Sequence, residues 1–280
     1  MSIREIRNLC SAHIESIFSD LVDKGLANLK DKFFLDSKRR ILYTSFRNLY
    51  PLMEFSTFLP ESYFYYNSHL FAYAFFLDQS LDELRNYPSH QVKSFQISSY
   101  LLIRYFEWIK RKYRKEFISL FYKYYKEQSD YLIDEKKWEQ PNNYFSLYGD
   151  AKKIYIKEIL LFFPLELYKS MTTSSSYLLL KKLFTNYYSF ILLFDDLIDW
   201  DDDIHNRRLS YPIIMYFKLN KKLPQTQEEL KFILSHLIEN LKEFYTNIRK
   251  IEKQIGRKSL IIQDTLYHMR KELSNRGIEL

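Results

Sequence analysis

Apolar residues recur every three or four positions along most of the chain, and this pattern predicts an all-helical protein. No stretch keeps the alternation of apolar and polar residues that marks a half-buried strand. Prolines and short polar segments separate the apolar runs, as helix boundaries usually do. The predicted helices cover residues 2–23, 37–50, 60–84, 89–127, 144–171 and 176–203, followed beyond residue 224 by two charged helices on either side of Gly256.

Local signals mark several of these boundaries. Ser2 can cap the first helix, and Pro60 can open the third, because proline is tolerated in the first turn. Thr226 and Glu229 have the spacing of a capping box. Segment 128–143 is polar and contains a proline, so we expect a loop there.

The composition supports one helical domain that covers residues 1–280. The chain has four glycines, whereas sheet-rich folds need more of them for turns and bulges. Hydrophobic residues make up 46% of the chain, which is enough for a large core and argues against disorder. We find no internal repeat and no shift in composition that would mark a linker.

The cysteine content and the hydropathy of the chain indicate in which cellular compartment the protein is expected. A single cysteine, Cys10, excludes a disulfide framework and a thiolate-rich metal site. Charges interrupt the apolar positions of the first 20 residues, so no signal peptide is expected. No run of 18 apolar residues exists, so we expect a cytoplasmic protein without a transmembrane segment.

The formal net charge of +7 is compatible with nucleic acid, anionic lipid or a phosphorylated substrate as a partner. A solvated basic surface is the competing interpretation. The chain is rich in Lys, Ile, Asn, Tyr and Phe together, which is typical of an AT-rich genome. The charge alone therefore does not identify a partner.

An apolar run over residues 187–194 leads directly into a cluster of aspartates. Asp195, Asp199 and Asp203 are spaced i, i+4 and i+8. With Asp196 in place of Asp195, the spacing becomes i, i+3 and i+7. In a continuous helix either set lies on one face.

The repulsion between carboxylates on one helix face must be offset by another interaction. Stacked like charges destabilise a helix by about 0.2–0.5 kcal/mol per pair, and a helix C-terminus is unfavourable for anions. Mg²⁺ prefers carboxylate oxygens and often bridges them to substrate phosphates, so a bound divalent cation would resolve the repulsion. The alternative is an acidic, solvent-exposed helix end, and we expect Asp201 and Asp202 of the same segment to be solvated.

A second pair of carboxylates lies in the first half of the chain. Asp78 and Asp82 are spaced i, i+4 after the apolar stretch 63–77. An ordinary exposed helix turn would also explain this pair. If the two acidic helix ends face each other, they can hold two or three Mg²⁺ ions against a diphosphate.

At these residues the chain resembles the isoprenoid synthase superfamily. Residues 194–199 resemble the second aspartate-rich motif of polyprenyl diphosphate synthases, D-D-x-x-D after an aromatic lead-in. Residues 199–212 are similar to squalene and phytoene synthases, where D-x-x-x-D is followed by Arg and an aromatic-containing stretch. The first half of the chain also resembles phytoene synthases. Leu-Pro at 59–60 precedes Tyr-Ala-Phe and D-x-x-x-D within residues 73–82, in the order and with spacing similar to that family's pattern. The resemblance covers roughly residues 55–212.

The resemblance implies a helical bundle of the isoprenoid synthase type with a central active-site cavity. It implies a prenyl diphosphate substrate and two or three Mg²⁺ ions. The implied metal ligands are Asp78, Asp82, Asp195 or Asp196, Asp199 and Asp203, of which Asp78, Asp82, Asp199 and Asp203 carry the catalysis. The implied diphosphate ligands are Arg207, Arg208 and Lys157, and the implied cavity-lining residues are Tyr73, Phe76, Tyr187 and Phe190.

Two departures from the family pattern bear on the reaction. Chain-elongating synthases carry paired arginines after the first motif, whereas this chain has only Arg85. The Gly-rich segment of phytoene synthases is replaced by residues 157–164. These departures favour a terpene synthase that acts on an allylic C15 or C20 diphosphate.

Two alternatives stay open. The first is a head-to-head prenyltransferase of the squalene or phytoene synthase type. The second is a non-enzymatic basic helical binding protein, although no nucleic-acid-binding motif is visible and the acidic cluster would repel a polyanion. Substrate length, product and oligomeric state, including a homodimer, are open from sequence.

Overall fold

The computed structural model describes residues 2–56, 59–82, 88–112, 115–142 and 150–279. Some side chains within these ranges lie outside the description: those of residues 81, 82, 88, 89, 115, 116, 152, 153, 156–158, 161 and 227. All regular secondary structure in the described ranges is helical, which confirms the all-α prediction. No helix found there is both long and apolar enough to cross a membrane.

The α-helices have the following bounds: α1 Ile3–Asp23, α2 Lys32–Asn48, α3 Pro51–Phe55, α4 Glu61–Asp82, α5 Pro88–Lys112, α6 Lys115–Glu135, α7 Phe163–Lys169, α8 Ser174–Ile198, α9 Trp200–His205, α10 Tyr211–Asn220, α11 Gln227–Leu230, α12 Leu234–Ile255 and α13 Leu260–Asn275. Two 3₁₀ segments, Ala151–Phe162 and Lys231–Ile233, precede α7 and α12.

The contacts among these elements divide the chain into two units. Unit 1 comprises residues 1–120 and 259–262, and unit 2 comprises residues 121–258 and 263–280. The expectation of one domain over residues 1–280 stays a prediction.

Several predicted helix starts are confirmed by their caps. Ser2 and Glu5 form a capping box at the start of α1. Helix α4 begins at Glu61, directly after Pro60. Thr226 and Glu229 form the predicted capping box at α11.

Other predicted boundaries are wrong. Helix α2 begins five residues earlier than predicted, because the Asp31 side chain accepts the backbone N–H of Phe33 and caps it there. The predicted loop 128–143 is helical as far as Glu135. Buried Tyr131 and Leu132 continue the apolar face of α6 past the polar residues that suggested a loop.

In unit 1, α4 and α5 pack against each other in antiparallel fashion. The Tyr105 hydroxyl donates to the Asn67 side chain (2.9 Å), and the Gln91 amide donates to the Ser80 carbonyl (2.9 Å) near the other end of the pair. The Asn67 amide donates in turn to the Tyr63 carbonyl (2.7 Å). Because Asn67 is fully buried, these bonds remove the penalty of an unsatisfied amide in the core.

A buried carboxylate in unit 1 caps a helix that begins 206 residues further along the chain. Glu54 is 7% exposed and accepts hydrogen bonds from the Ser259 hydroxyl, from Leu260 N–H (2.8 Å) and from Ile261 N–H (3.1 Å). Ser259 itself accepts the N–H of Ile262 (3.0 Å). The first N–H groups of α13 are therefore satisfied, and the negative charge lies at the end of the helix that favours anions.

In unit 2, one oxygen of a second buried carboxylate accepts three hydrogen bonds. Oε1 of Glu166 accepts from Tyr124 (2.9 Å), Tyr177 (2.6 Å) and Lys181 (2.8 Å). Burial opposes ionisation of Glu166, but the hydrogen bonds from Lys181 and Tyr177 outweigh it and lower its pKa. This network joins α6, α7 and α8 through side chains that are far apart in sequence.

We expect Glu54→Gln to destabilise the protein by about 1.5–3 kcal/mol, the range for hydrogen bonds to a charged group. The amide retains one acceptor oxygen but loses the charge at the α13 N-terminus. Urea unfolding followed by circular dichroism measures the loss. Glu239→Gln, on an exposed position of α12, is the matched control and should stay within about 0.5 kcal/mol of the wild type. Equal stability of the two variants would contradict the capping role.

We expect Lys181→Met to destabilise the protein at neutral pH, and this difference should shrink as the pH falls below 4.5, towards the lowered pKa of folded Glu166. The folded pKa of Glu166 lies below its unfolded value of 4.5, so the ionised carboxylate stabilises the fold above that pH. Protonation of Glu166 removes the advantage that Lys181 provides. Urea unfolding at several pH values tests this, with the exposed neighbour Lys182→Met as control. A difference that is constant with pH would show that Lys181 acts through packing alone.

Candidate functional site

Helix α8 carries the second aspartate cluster and is buried along most of its length. The Thr173 side chain accepts the Ser176 N–H and caps its start. From Tyr187 to Phe194 every residue is buried, so all sides of this part of the helix are covered by other residues. Within unit 2, α8 packs against α12 and the 3₁₀ segment before α7. The aspartates therefore follow a helix that is firmly held.

The predicted continuous helix as far as Asp203 is wrong. Helix α8 ends at Ile198, Asp199 has φ −100° and ψ 7°, and α9 begins at Trp200. Aspartate is a poor helix former, and consecutive anions near a helix C-terminus are unfavourable, which accounts for a break at this point.

The one-turn spacing of the aspartates nevertheless survives the break. The Asp199 N–H donates to the Asp195 carbonyl (2.9 Å), and the Asp203 N–H donates to the Asp199 carbonyl (3.0 Å). These bonds have the i to i−4 pattern of an α-helix. Asp195, Asp199 and Asp203 thus start from three successive turns of backbone, as the sequence predicts.

Exposure differs among these aspartates. Asp199 is exposed, Asp195 and Asp203 are half-buried, and Asp196 is only 3% exposed. Asp201 and Asp202 are exposed, as predicted. The aspartate side chains that water can reach most readily are therefore those of Asp199, Asp201 and Asp202.

Asp196 has a structural partner. Its Oδ2 accepts the backbone N–H of Tyr211 (3.2 Å) at the start of α10, where the N-cap residue Ser210 makes no side-chain capping bond. The buried carboxylate thus takes over the capping role for α10. Asp196 and Asp195 are equivalent by sequence as metal ligands, but in the structure one oxygen of Asp196 is engaged with the backbone.

The two predicted diphosphate-binding arginines lie in a Schellman turn at the end of α9. Arg208 N–H donates to the Asp203 carbonyl (2.8 Å), and Arg207 N–H donates to the Ile204 carbonyl (3.2 Å). Arg207 has φ 53°, the left-handed conformation that Gly256 adopts at the end of α12. For a residue with a Cβ this conformation costs about 1–2 kcal/mol. The turn is also anchored to α6, because the next residue, Leu209, donates its N–H to the Glu135 carbonyl (2.8 Å).

Arg207 is one of the residues that line a polar pocket of about 340 Å³. Arg207 is exposed and lies 3.8 Å from a carboxylate oxygen of Glu139. Exposed ion pairs of this kind contribute about 0–1 kcal/mol, so an anionic ligand can exchange for Glu139. The lining residues are Trp138, Glu139, Asp201, Ile204, His205, Arg207, Pro224 and Gln225.

The first aspartate motif lies at the end of α4. Asp78 is exposed, and Asp82 is the last residue of the helix, one turn beyond it. The Asp82 side chain lies outside the described residues, as does that of Lys157 in the 3₁₀ segment. The predicted meeting of this motif with the second motif stays a prediction.

The four predicted cavity-lining residues are buried. Tyr73 is 3% exposed, and Phe76, Tyr187 and Phe190 are fully buried. Phe76 packs near Phe18 in unit 1, with ring centroids 6.3 Å apart. None of the four lines the pocket around Arg207, so their role as cavity walls also stays a prediction.

The sequence motifs do not include Glu166 or the pocket residues Trp138 and Glu139. Glu166 had a usable signal, since it is a lone carboxylate within the apolar run 162–168 and therefore had to be buried with partners. No comparable local signal marks the two pocket residues, because the pocket forms from segments distant in sequence.

We expect Asp196→Ala to destabilise the protein by about 1–3 kcal/mol, because the Tyr211 N–H loses its acceptor in a buried setting. Asp199→Ala should leave stability within about 0.5 kcal/mol or raise it slightly, because it removes an exposed charge from an acidic cluster. Urea unfolding of both variants compares them directly. If Asp199→Ala lowered the free energy of unfolding more than Asp196→Ala, the assignment of Asp196 as a structural residue and Asp199 as an accessible one would be wrong.

Across the part of the chain that the structure describes, no group of three or more His, Cys, Asp or Glu residues is arranged to hold a metal ion. No protein-family model, curated protein or solved structure matches the chain, so the resemblance to isoprenoid synthases rests on the sequence motifs.

Proposed function

We propose that the chain is a Mg²⁺-dependent class I terpene synthase that ionises an allylic prenyl diphosphate. The observation that carries the proposal is the one-turn spacing of Asp195, Asp199 and Asp203 beyond a buried apolar helix. This spacing places like charges on successive turns, and a bound divalent cation would offset their repulsion.

The donor set suits Mg²⁺ better than a softer metal. The accessible ligands are carboxylate oxygens, and Mg²⁺ is commonly held by one or two carboxylates together with waters and substrate phosphates. Asp199 and Asp203 would meet that requirement if waters and substrate phosphates completed the coordination. Asp78 and Asp82 would supply the second pair of carboxylates.

The chain's own residues would perform the remaining tasks. Arg207 and Arg208 would donate to the diphosphate oxygens, since the guanidinium fork suits phosphate. Bound Mg²⁺ would neutralise the charge of the leaving group. The buried rings of Tyr73, Phe76, Tyr187 and Phe190 would exclude water from the reacting carbon, and their faces would stabilise positive charge.

The test is diphosphate release in the presence of Mg²⁺ from C10, C15 and C20 prenyl diphosphates. We expect release by the wild type and a loss of about 100-fold or more in Asp199→Asn, because a metal ligand contributes several kcal/mol at the transition state. Asp202→Asn is the matched control: Asp202 is exposed in the same acidic segment but off the proposed face, and this variant should keep near-normal activity.

The products separate the proposal from its rivals. A C15 or C20 terpene supports the proposal, whereas a C30 or C40 product means head-to-head coupling. No turnover of any substrate by the wild type, or equal activity of Asp199→Asn and Asp202→Asn, would overturn the proposed site. Salt-dependent binding of nucleic acid without turnover would favour the non-enzymatic alternative.

A further inference from the structure

Unit 1 contains a pocket of about 290 Å³ that neither aspartate motif explains. It lies where the beginning of α4 meets the end of α5. The lining residues are Ser62, Tyr66, Arg104, Glu107, Trp108, Arg111 and Lys112. One side of this pocket is aromatic and the other is basic.

The aromatic side is rigid. Tyr66 stacks on the Trp108 indole, with ring centroids 5.0 Å apart and planes 13° apart, and Tyr63 meets the same indole edge-on. Trp108 is 5% exposed, whereas Tyr66 is half-buried. The Tyr66 ring also stacks with His69, with centroids 5.7 Å apart and planes 28° apart. A planar group in the pocket can therefore contact the half-buried part of Tyr66, whose position is held by its contacts with Trp108 and His69.

On the basic side, the described lining residues include three basic side chains and one carboxylate, Glu107. Arg104 is paired, because its Nη1 lies 3.3 Å from Glu107 and its Nε lies 3.9 Å from Asp20. Arg111 and Lys112 lie in the last turn of α5 and are exposed. Cations in this turn also offset the helix dipole, but exposed Lys110 can serve that purpose without lining the pocket.

We propose that this pocket binds a small phosphate monoester that carries a planar ring, with a nucleoside monophosphate as the simplest example. The ring packs against Tyr66, and the phosphate accepts hydrogen bonds from Arg111 and Lys112. The volume lies at the lower limit for ligand pockets, which fits a mononucleotide better than a dinucleotide cofactor. The inference does not rest on the proposed synthase activity, because it uses none of that site's residues.

The test is isothermal titration calorimetry of the full chain with AMP, adenosine and ribose 5-phosphate. We expect AMP to bind about tenfold or more tightly than either fragment, since each fragment lacks one of the two recognised groups. Equal affinity for AMP and ribose 5-phosphate would overturn the aromatic half of the site. Absence of AMP binding at millimolar concentration would overturn the whole proposal.

Matched variants assign the binding to this pocket. Arg111→Ala combined with Lys112→Ala should weaken AMP binding about tenfold or more and leave adenosine binding unchanged. Both residues are exposed, so the double variant is expected to fold, which circular dichroism verifies. Lys110→Ala, on the same turn but outside the pocket, should bind AMP as the wild type does. Equal losses in Lys110→Ala and the double variant would mean diffuse charge attraction and would refute a defined site.

Discussion

Buried carboxylates are acceptable in this protein because backbone and side-chain donors surround them. Glu54 accepts hydrogen bonds from the first N–H groups of α13, and Asp196 accepts one from the first N–H of α10. Glu166 accepts hydrogen bonds from two tyrosines and a lysine. An unsatisfied carboxylate in such a setting would destabilise the fold by several kcal/mol, so these partners must be present whenever the chain is folded. The starts of α10 and α13 are consequently fixed by residues far from them in sequence.

The sequence was informative where a structural signal is local. Periodicity predicted an all-helical chain, and Ser2, Pro60 and Thr226 marked helix starts that the structure confirms. The sequence pattern is misleading where tertiary packing decides between helix and loop, as at residues 128–135. These residues are polar enough to suggest a loop, but burial of Tyr131 and Leu132 keeps them helical.

At the candidate site, too, some features follow from the local sequence and others depend on tertiary contacts. The one-turn spacing of Asp195, Asp199 and Asp203 follows from residue numbers alone and persists although the helix is interrupted at Asp199. The capping role of Asp196 was not predictable, because its partner is a backbone N–H 15 residues away. Nor did the sequence indicate that Arg207 adopts a left-handed conformation, since glycine is the usual residue at that position of a helix end.

The contact between Glu54 and the start of α13 has a consequence for biosynthesis. A ribosome makes Glu54 about 205 residues before Ser259, and domains tend to fold from the N-terminus as they emerge. Throughout that interval the nascent N-terminal helices hold an acidic side chain without its final donors. They must either keep it hydrated in a loose intermediate or delay closing their core until the later segment arrives.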